Sequence, residues 1–237
     1  MTARRRSHCI VLRFYLSLGD SLFGVLMVVS YCTVRGLTAA EQNIGAILKR
    51  VLIPLANGVE ELEAVATIDV LRRAGCHVVS ASVGCKNPIV GRNRIRLMAD
   101  IDLLDAMTEW AHDWDLVVLP GGLGAVKVLG ESDMLMEVIA QRLHEAKPIA
   151  AICAAPILLV QAGLEPQRTI TCHPAAASHI KMHSPAQSLC ADTVIVDRSV
   201  ITSRGAGTAV EFALSCAELL CGASVMTSVA KQMALSS

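Results

Sequence analysis

The sequence predicts an α/β fold with a mostly parallel sheet and a nucleophile elbow, and three observations predict it. Ala, Val, Leu and Ile abound while aromatic residues make up only 3% of the chain, which suits helices packed on a buried sheet better than an aromatic-rich binding surface. From Lys49 onward, short apolar runs alternate with helical patterns, the signature of βα units. One of those runs ends in a cysteine flanked by small residues and a proline, the layout of a sharp strand-to-helix turn. At 237 residues and 53% hydrophobic content, the chain can bury a large core within one domain.

The elements follow in order. Strands are predicted over 50–56 and 77–83 with a helix over 60–74 between them, followed by a polar, hairpin-like stretch to Met98. A strand over 116–119 leads into the turn Pro120-Gly121-Gly122, then a helix over 132–146 and a strand over 148–152. A helix opens near Ala155 and ends at Gly163, a residue suited to a helix C-terminus. A further strand lies near Thr169, two more over 193–196 and 200–203, and a last long helix over 208–220. Residues 47–237 read as one domain, with no internal repeat or linker. In such folds reactive groups gather at the carboxyl ends of the strands.

Residues 1–46 read differently. Arg4, Arg5, Arg6 and Arg13 occur with no acid before Asp20, and an apolar run over 22–34 follows. That run is shorter than the roughly 20 residues that cross a bilayer, so no stable membrane span is expected. The stretch reads as a targeting segment or as an unstructured extension. The expected location is the cytoplasm, or the mitochondrion if the extension is a transit peptide. Secretion is disfavoured because it would expose a reactive thiol to an oxidising environment. Twenty-one basic residues balance twenty-one acidic ones, so no specific nucleic-acid binding is predicted.

Nine cysteines are scattered singly, with no CxxC pair of the zinc or thioredoxin kind. Cys76, Cys85, Cys190, Cys216 and Cys221 read as small buried hydrophobes. Cys153 is the exception. In Pro148-Ile149-Ala150-Ala151-Ile152-Cys153-Ala154-Ala155-Pro156 the small neighbours let strand and helix meet at close range, and the proline suits the helix's first turn. The helix N-terminus favours negative charge, which predicts a partly ionised Cys153 at neutral pH. After the first strand, Glu60, Glu61 and Glu63 cluster at a helix start. Glu60 and Glu61 read as ordinary complements to the helix dipole, whereas Glu63, one turn further in, can point toward the elbow and hold or move a proton there. Gly121 and Gly122 can present backbone N–H groups to a developing oxyanion alongside the amide of Ala154. His173 leaves the next strand at the edge that brings an imidazole near Cys153, although a lone histidine is more often structural. Cys172 beside it is a candidate resolving thiol. His179 and His183 are spaced for a metal but lack a third ligand, so no metal and no other cofactor is expected.

The stretches NGVEELEAV, IDVLRRAG, VVLPGG, AAICAAP, ITCHPAA and ITSRGAGTAVEFAL together resemble the ThiJ/PfpI superfamily, in the branch of the parkinsonism-associated deglycase and its bacterial relative YajL. The resemblance runs from Lys49 to about Lys231. It implies a flavodoxin-like three-layer α/β/α sandwich, usually a homodimer, with Cys153 as oxidisable nucleophile, Glu63 as its protonated partner, Gly122 and Ala154 as oxyanion amides, His173 nearby and Arg73 near the dimer interface. Members are reported as glyoxalases acting without glutathione, as deglycases, and as oxidative-stress sensors with chaperone activity. The chain departs from the family pattern by one residue missing after Gly122, by Gly91 and Met98 in place of secondary cysteines, by Ala206 where proline is usual, and by a short tail after Val229. Ala154 follows the nucleophile where the peptidase branch places histidine, which disfavours peptidase activity.

The expected function is a cysteine-dependent glyoxalase or deglycase acting on a small α-oxoaldehyde, such as methylglyoxal or glyoxal, or on a glycated protein. The alternative is a redox sensor or chaperone in which Cys153 is oxidised to sulfinate.

Overall fold

The computed structural model describes residues 9–18, 21–30, 48–110 and 114–235. The chain divides into two units, Met1–Ile47 and Leu48–Ser237. In the first, β1 (Cys9–Leu18) and β2 (Ser21–Ser30) pair antiparallel, with Cys9 opposite Ser30 and Leu18 opposite Ser21. The apolar run beyond Ser30 lies outside the described residues, as does most of the remaining stretch read as a targeting segment or extension.

The second unit opens with β3 (Arg50–Leu55), α1 (Glu61–Arg73) and β4 (His77–Ser82). Two short antiparallel strands, β5 (Ile89–Val90) and β6 (Arg96–Leu97), form the hairpin-like excursion, and β7 (Ile101–Asp102) and α2 (Leu103–Trp110) follow. Next come β8 (Leu116–Leu119), α3 (Leu123–Gly130), α4 (Asp133–His144), β9 (Ile149–Ile152) and α5 (Pro156–Gln161). The remainder is β10 (Thr169–Ile170), α6 (Ala177–His183), β11 (Ser188–Leu189), β12 (Val194–Asp197), β13 (Val200–Ser203), α7 (Ala209–Cys221) and α8 (Ala223–Gln232).

Seven strands form the central sheet in the order β12-β13-β9-β8-β3-β4-β7. All neighbours run parallel except β12, which pairs antiparallel with β13 at the edge. β8, β9 and β13 are buried along their whole length, as a sheet covered on both faces requires. α1, α7 and α8 pack as one helical group, and α3, α4 and α5 as another. On α1 the buried residues Ala64, Thr67, Val70 and Leu71 recur at helical spacing and mark its core face. Its end is a Schellman turn: Gly75, at φ 84°, donates to Arg72 O at 3.0 Å, and Cys76 N donates to Leu71 O at 3.0 Å. That turn fixes where Cys76 enters β4.

Three helices lie where no helix is predicted: α2, α3 and α8. α3 (LGAVKVLG) is short, apolar on most faces and contains two glycines; its helix rests on packing against α4 and α5 rather than on propensity. β10 does pair near Thr169, but with β11 in a separate two-stranded ladder rather than with the central sheet. Among the described residues, no helix is long and apolar enough to cross a membrane.

At the amino ends of the strands, a buried cation serves as a clamp. Arg142, near the end of α4, donates to Trp114 O at 2.8 Å, Asp115 O at 3.1 Å and Pro148 O at 2.9 Å, tying the entries of β8 and β9 together. Buried carbonyls need partners, and each one left unpaired costs about 1–3 kcal/mol. Arg142→Met should fill the volume but strand these acceptors, lowering stability by about 3 kcal/mol. Urea denaturation measures the loss, and a midpoint within error of the parent would show that water replaces the guanidinium.

Candidate active site

The carboxyl ends of β8 and β9 meet the start of α1 at Cys153. Its backbone sits at φ 66°, the left-handed region that L-residues avoid and that marks strain held by surrounding structure. The surroundings are specific: Cys153 N donates to Ser203 O at 2.9 Å, and Cys153 O accepts from His173 N at 2.8 Å. Both backbone groups of the elbow are thus anchored, one to the end of β13 and one to the loop after β10. The residue is 6% exposed.

Glu63 reaches the elbow from the first turn of α1 and is 0% exposed. Its Oε2 accepts from Gly121 N at 2.8 Å. Oε1 is buried and has no hydrogen-bond partner of ordinary geometry, while the carboxyl and the Cys153 thiol are near enough to shift each other's titration through hydrogen bonding and charge. A carboxyl so placed is best satisfied when it carries a proton to donate. Burial pushes Glu63 up to about 7, against the opposing pull of the Gly121 N–H.

Burial, followed by the Glu63 charge, pushes the Cys153 thiol up to about 12, while the N–H groups of Gly122 and Ala154 pull it down. The partly ionised thiol expected from the helix N-terminus alone is therefore corrected. Ionisation of Cys153 depends on Glu63 taking up a proton, which removes the repulsion and supplies a donor. With Glu63 at about 7 and Cys153 at about 12, Glu63 gives up its proton first, and a thiolate forms at neutral pH by passing the thiol proton to the Glu63 carboxylate.

Glycine is required where the chains meet. A Cβ on Gly121 would stand 2.5 Å from Cys153 Cβ and 2.7 Å from Glu63 Oε2, and one on Gly122, at φ 93°, would overlap Gly58 O. Gly121, Gly122, Ala154, Glu63 and Cys153 are thus brought together. His173 is adjacent through its backbone, but its exposed ring accepts from Ala175 N through Nδ1 at 3.2 Å rather than bonding Cys153. Cys172 is buried and makes no hydrogen bond to Cys153. His183 Nε2 bonds the Gln161 amide at 3.1 Å.

Sequence reasoning assigned no role to Gly205, yet a Cβ there would lie 3.4 Å from His173 Cδ2 and 3.8 Å from Cys153 Sγ, so its bareness leaves room over the thiol. Glu60 and Glu61 do more than complement a dipole. Glu61 accepts from Asn93 N at 2.6 Å and Ile95 N at 3.3 Å, and Glu60 accepts from Asn93 Nδ2 at 3.3 Å, which fastens the β5–β6 loop beside the site. Gly91 in that loop is packed so closely on Glu61 that a side chain would overlap the carboxylate. Of the cysteines read as buried, Cys76 and Cys216 are, whereas Cys85, Cys190 and Cys221 are half-buried.

The architecture is that of a flavodoxin-like α/β protein whose elbow carries a thiol against a buried carboxyl. A family model described as the DJ-1/PfpI family matches residues 49–219, and the chain belongs to that family. It is 39% identical over 181 residues to the Parkinson disease protein 7 homolog of Danio rerio, covering 76% of this chain and 94% of that one. It is 40% identical to protein DJ-1 homolog B of Arabidopsis thaliana over 73% of its own length but only 38% of that relative's. A Caenorhabditis elegans relative, 34% identical over 74% of this chain and 90% of its own, is named glutathione-independent glyoxalase DJR-1.2. Among solved structures, Drosophila melanogaster DJ-1beta superposes with a TM-score of 0.74 at 35% identity, covering 81% of this chain and all of that one. Oxidised Toxoplasma gondii DJ-1 gives 0.71 at 31%, covering 78% and 97%.

The raised Glu63 sets a sign for stability. Folded protein holds this proton more tightly than unfolded chain, so the contribution is complete below about pH 4.5 and is lost as pH rises through about 7. Relative to Glu63→Gln, the parent should lose about 3 kcal/mol across that window. Paired urea titrations at several pH values measure the difference, and a flat one would mean that the carboxyl is not desolvated.

Proposed function

We propose that this chain is a glutathione-independent glyoxalase that converts α-oxoaldehydes to 2-hydroxy acids, with aldehyde adducts of proteins as a second substrate class. The observation that carries the reading is the buried Glu63–Cys153 pair, with Glu63 pushed up to about 7 and the Gly122 and Ala154 amides directed at the sulfur. The Caenorhabditis elegans relative's name supports the same chemistry.

The Cys153 thiolate adds to the aldehyde carbon, forming a C–S bond, and the resulting oxyanion lies where the Gly122 and Ala154 N–H groups can stabilise it. After the oxygen is protonated, the product is a hemithioacetal. Glu63, now ionised, removes the proton from the former aldehyde carbon and returns it to the neighbouring carbon, which moves the oxidation level along the chain without an external oxidant. A thioester of the hydroxy acid results, and water cleaves it to free acid and thiol. A buried base with a pKa near the working pH suits the transfer in both directions. In this reading His173, tied to the elbow through its backbone N–H, serves the substrate's outer oxygen. The homodimer that the family resemblance implies fits the exposed Leu62 (55%) and Val65 (49%) on α1.

Redox sensing is the second reading, favoured by the same thiol: a sulfinate would accept from the Gly122 and Ala154 amides and from a protonated Glu63.

The full chain should consume methylglyoxal and release lactate without glutathione. Cys153→Ala should abolish turnover, and Glu63→Gln should lower kcat by about 10²–10⁴-fold. In the parent, kcat/KM should rise through about pH 7 as the pair loses its first proton. Full turnover by Cys153→Ala would sink the proposal. An inactive parent in which mild peroxide adds two oxygens to Cys153 alone would transfer the assignment to redox sensing.

A further inference from the structure

A second pair of thiols lies far from Cys153. Cys76 ends the Schellman turn between α1 and β4, and Cys221 is the last residue of α7, before the turn at Gly222. The two are 145 positions apart in sequence, yet their sulfur atoms are 3.6 Å from each other. α1 packs along α7, which brings these ends together. Cys153 follows the carboxyl end of β9, whereas Cys76 precedes the amino end of β4. In a parallel sheet these are opposite edges, so the second pair is separate from the nucleophile.

The geometry leaves one thiol of the pair reachable from solvent and the other within reach of it. Cys76 is buried and Cys221 half-buried, so an oxidant in solution meets Cys221 while Cys76 waits behind it. Lys49, held by Asp115 at 2.9 Å, lies near enough to both sulfurs for their charges to interact with its ammonium. Burial and the neighbouring Cys221 push the Cys76 thiol up to about 12, with the Lys49 charge a smaller opposing influence, so the more exposed Cys221 is the thiol that meets the oxidant first. A disulfide needs sulfurs about 2.05 Å apart, and rotation of one or both side chains about Cα–Cβ is the movement that closes the gap.

We propose that Cys76 and Cys221 form a reversible intrachain disulfide, an oxidative modification site independent of the Cys153 centre. With hydrogen peroxide as oxidant, Cys221 sulfur attacks one peroxide oxygen, the O–O bond breaks, and a sulfenic acid and one water result. Cys76 sulfur then bonds to Cys221 sulfur and displaces the hydroxyl, which leaves as a second water with the Cys76 proton. Two thiols are oxidised by one peroxide reduced to two waters. A dithiol reductant reverses the bond by exchange. The bridge staples the α1–β4 turn to the α7–α8 junction and closes a long loop, which restricts the unfolded chain.

The test uses the full chain and its Cys153→Ser variant, treated with hydrogen peroxide, alkylated and digested with trypsin without reduction. The expected product joins peptide 74–86 to peptide 205–231, two hydrogens lighter than their sum, in equal yield from both proteins and released by dithiothreitol. Because Cys85 and Cys216 share those peptides, fragment spectra must place the bond at Cys76 and Cys221. Oxidation should also raise Tm by about 5 °C, and Cys221→Ser, a change at a half-buried position, should remove that rise. Recovery of both cysteines alkylated after Cys153 in the full chain is fully oxidised would overturn the proposal. So would a bond found only between two chains, or one that maps to Cys85 or Cys216.

Discussion

Everything at the candidate site depends on one close approach: Gly121 against the side chains of Cys153 and Glu63. Strand β8 ends where β9 ends, and the start of α1 is drawn in between them, with Glu60 N donating to Gly121 O at 3.0 Å while Gly121 N donates to Glu63 at 2.8 Å. This reciprocal pair of bonds places the carboxyl under the thiol. A side chain at position 121 would push both away. The left-handed backbone of Cys153 completes the arrangement, turning the chain sharply from strand to helix while its amide and carbonyl stay paired.

Electrostatics then follows from geometry. A carboxyl sealed from water resists ionisation, and a thiol beside it resists ionisation while the carboxylate is charged. The thiol alone is a poor nucleophile at neutral pH, whereas Glu63 at about 7 is poised to take up or give up a proton. A proton passing from the thiol to the ionised carboxyl converts the pair from a thiol with a base to a nucleophile with an acid. That interconversion is the property that the two halves of an aldehyde-to-acid rearrangement require.

Much of this was legible in the sequence, for local reasons. The elbow is written in consecutive small residues and Pro156, the tight turn after β8 in Gly121-Gly122, and the position of Glu63 one turn into a helix is fixed by helical geometry. The parallel strands were legible because burial on both faces makes them continuously apolar. What escaped was non-local. The bonds from Glu60 and Glu61 to Asn93 span more than thirty positions, and the pairing of β10 with β11 is settled by contacts that no local pattern encodes. The direction of the His173 ring is set by its bond to Ala175, and α3 is helical because of its neighbours.

The double anchoring of Cys153 has a consequence for the elbow. With its amide held by Ser203 and its carbonyl by His173, the backbone at the elbow has no slack, so a covalent adduct or an added oxygen is accommodated by the side chain alone. Neither anchoring bond uses the side chain, so the shape of the elbow is set independently of the atom it presents.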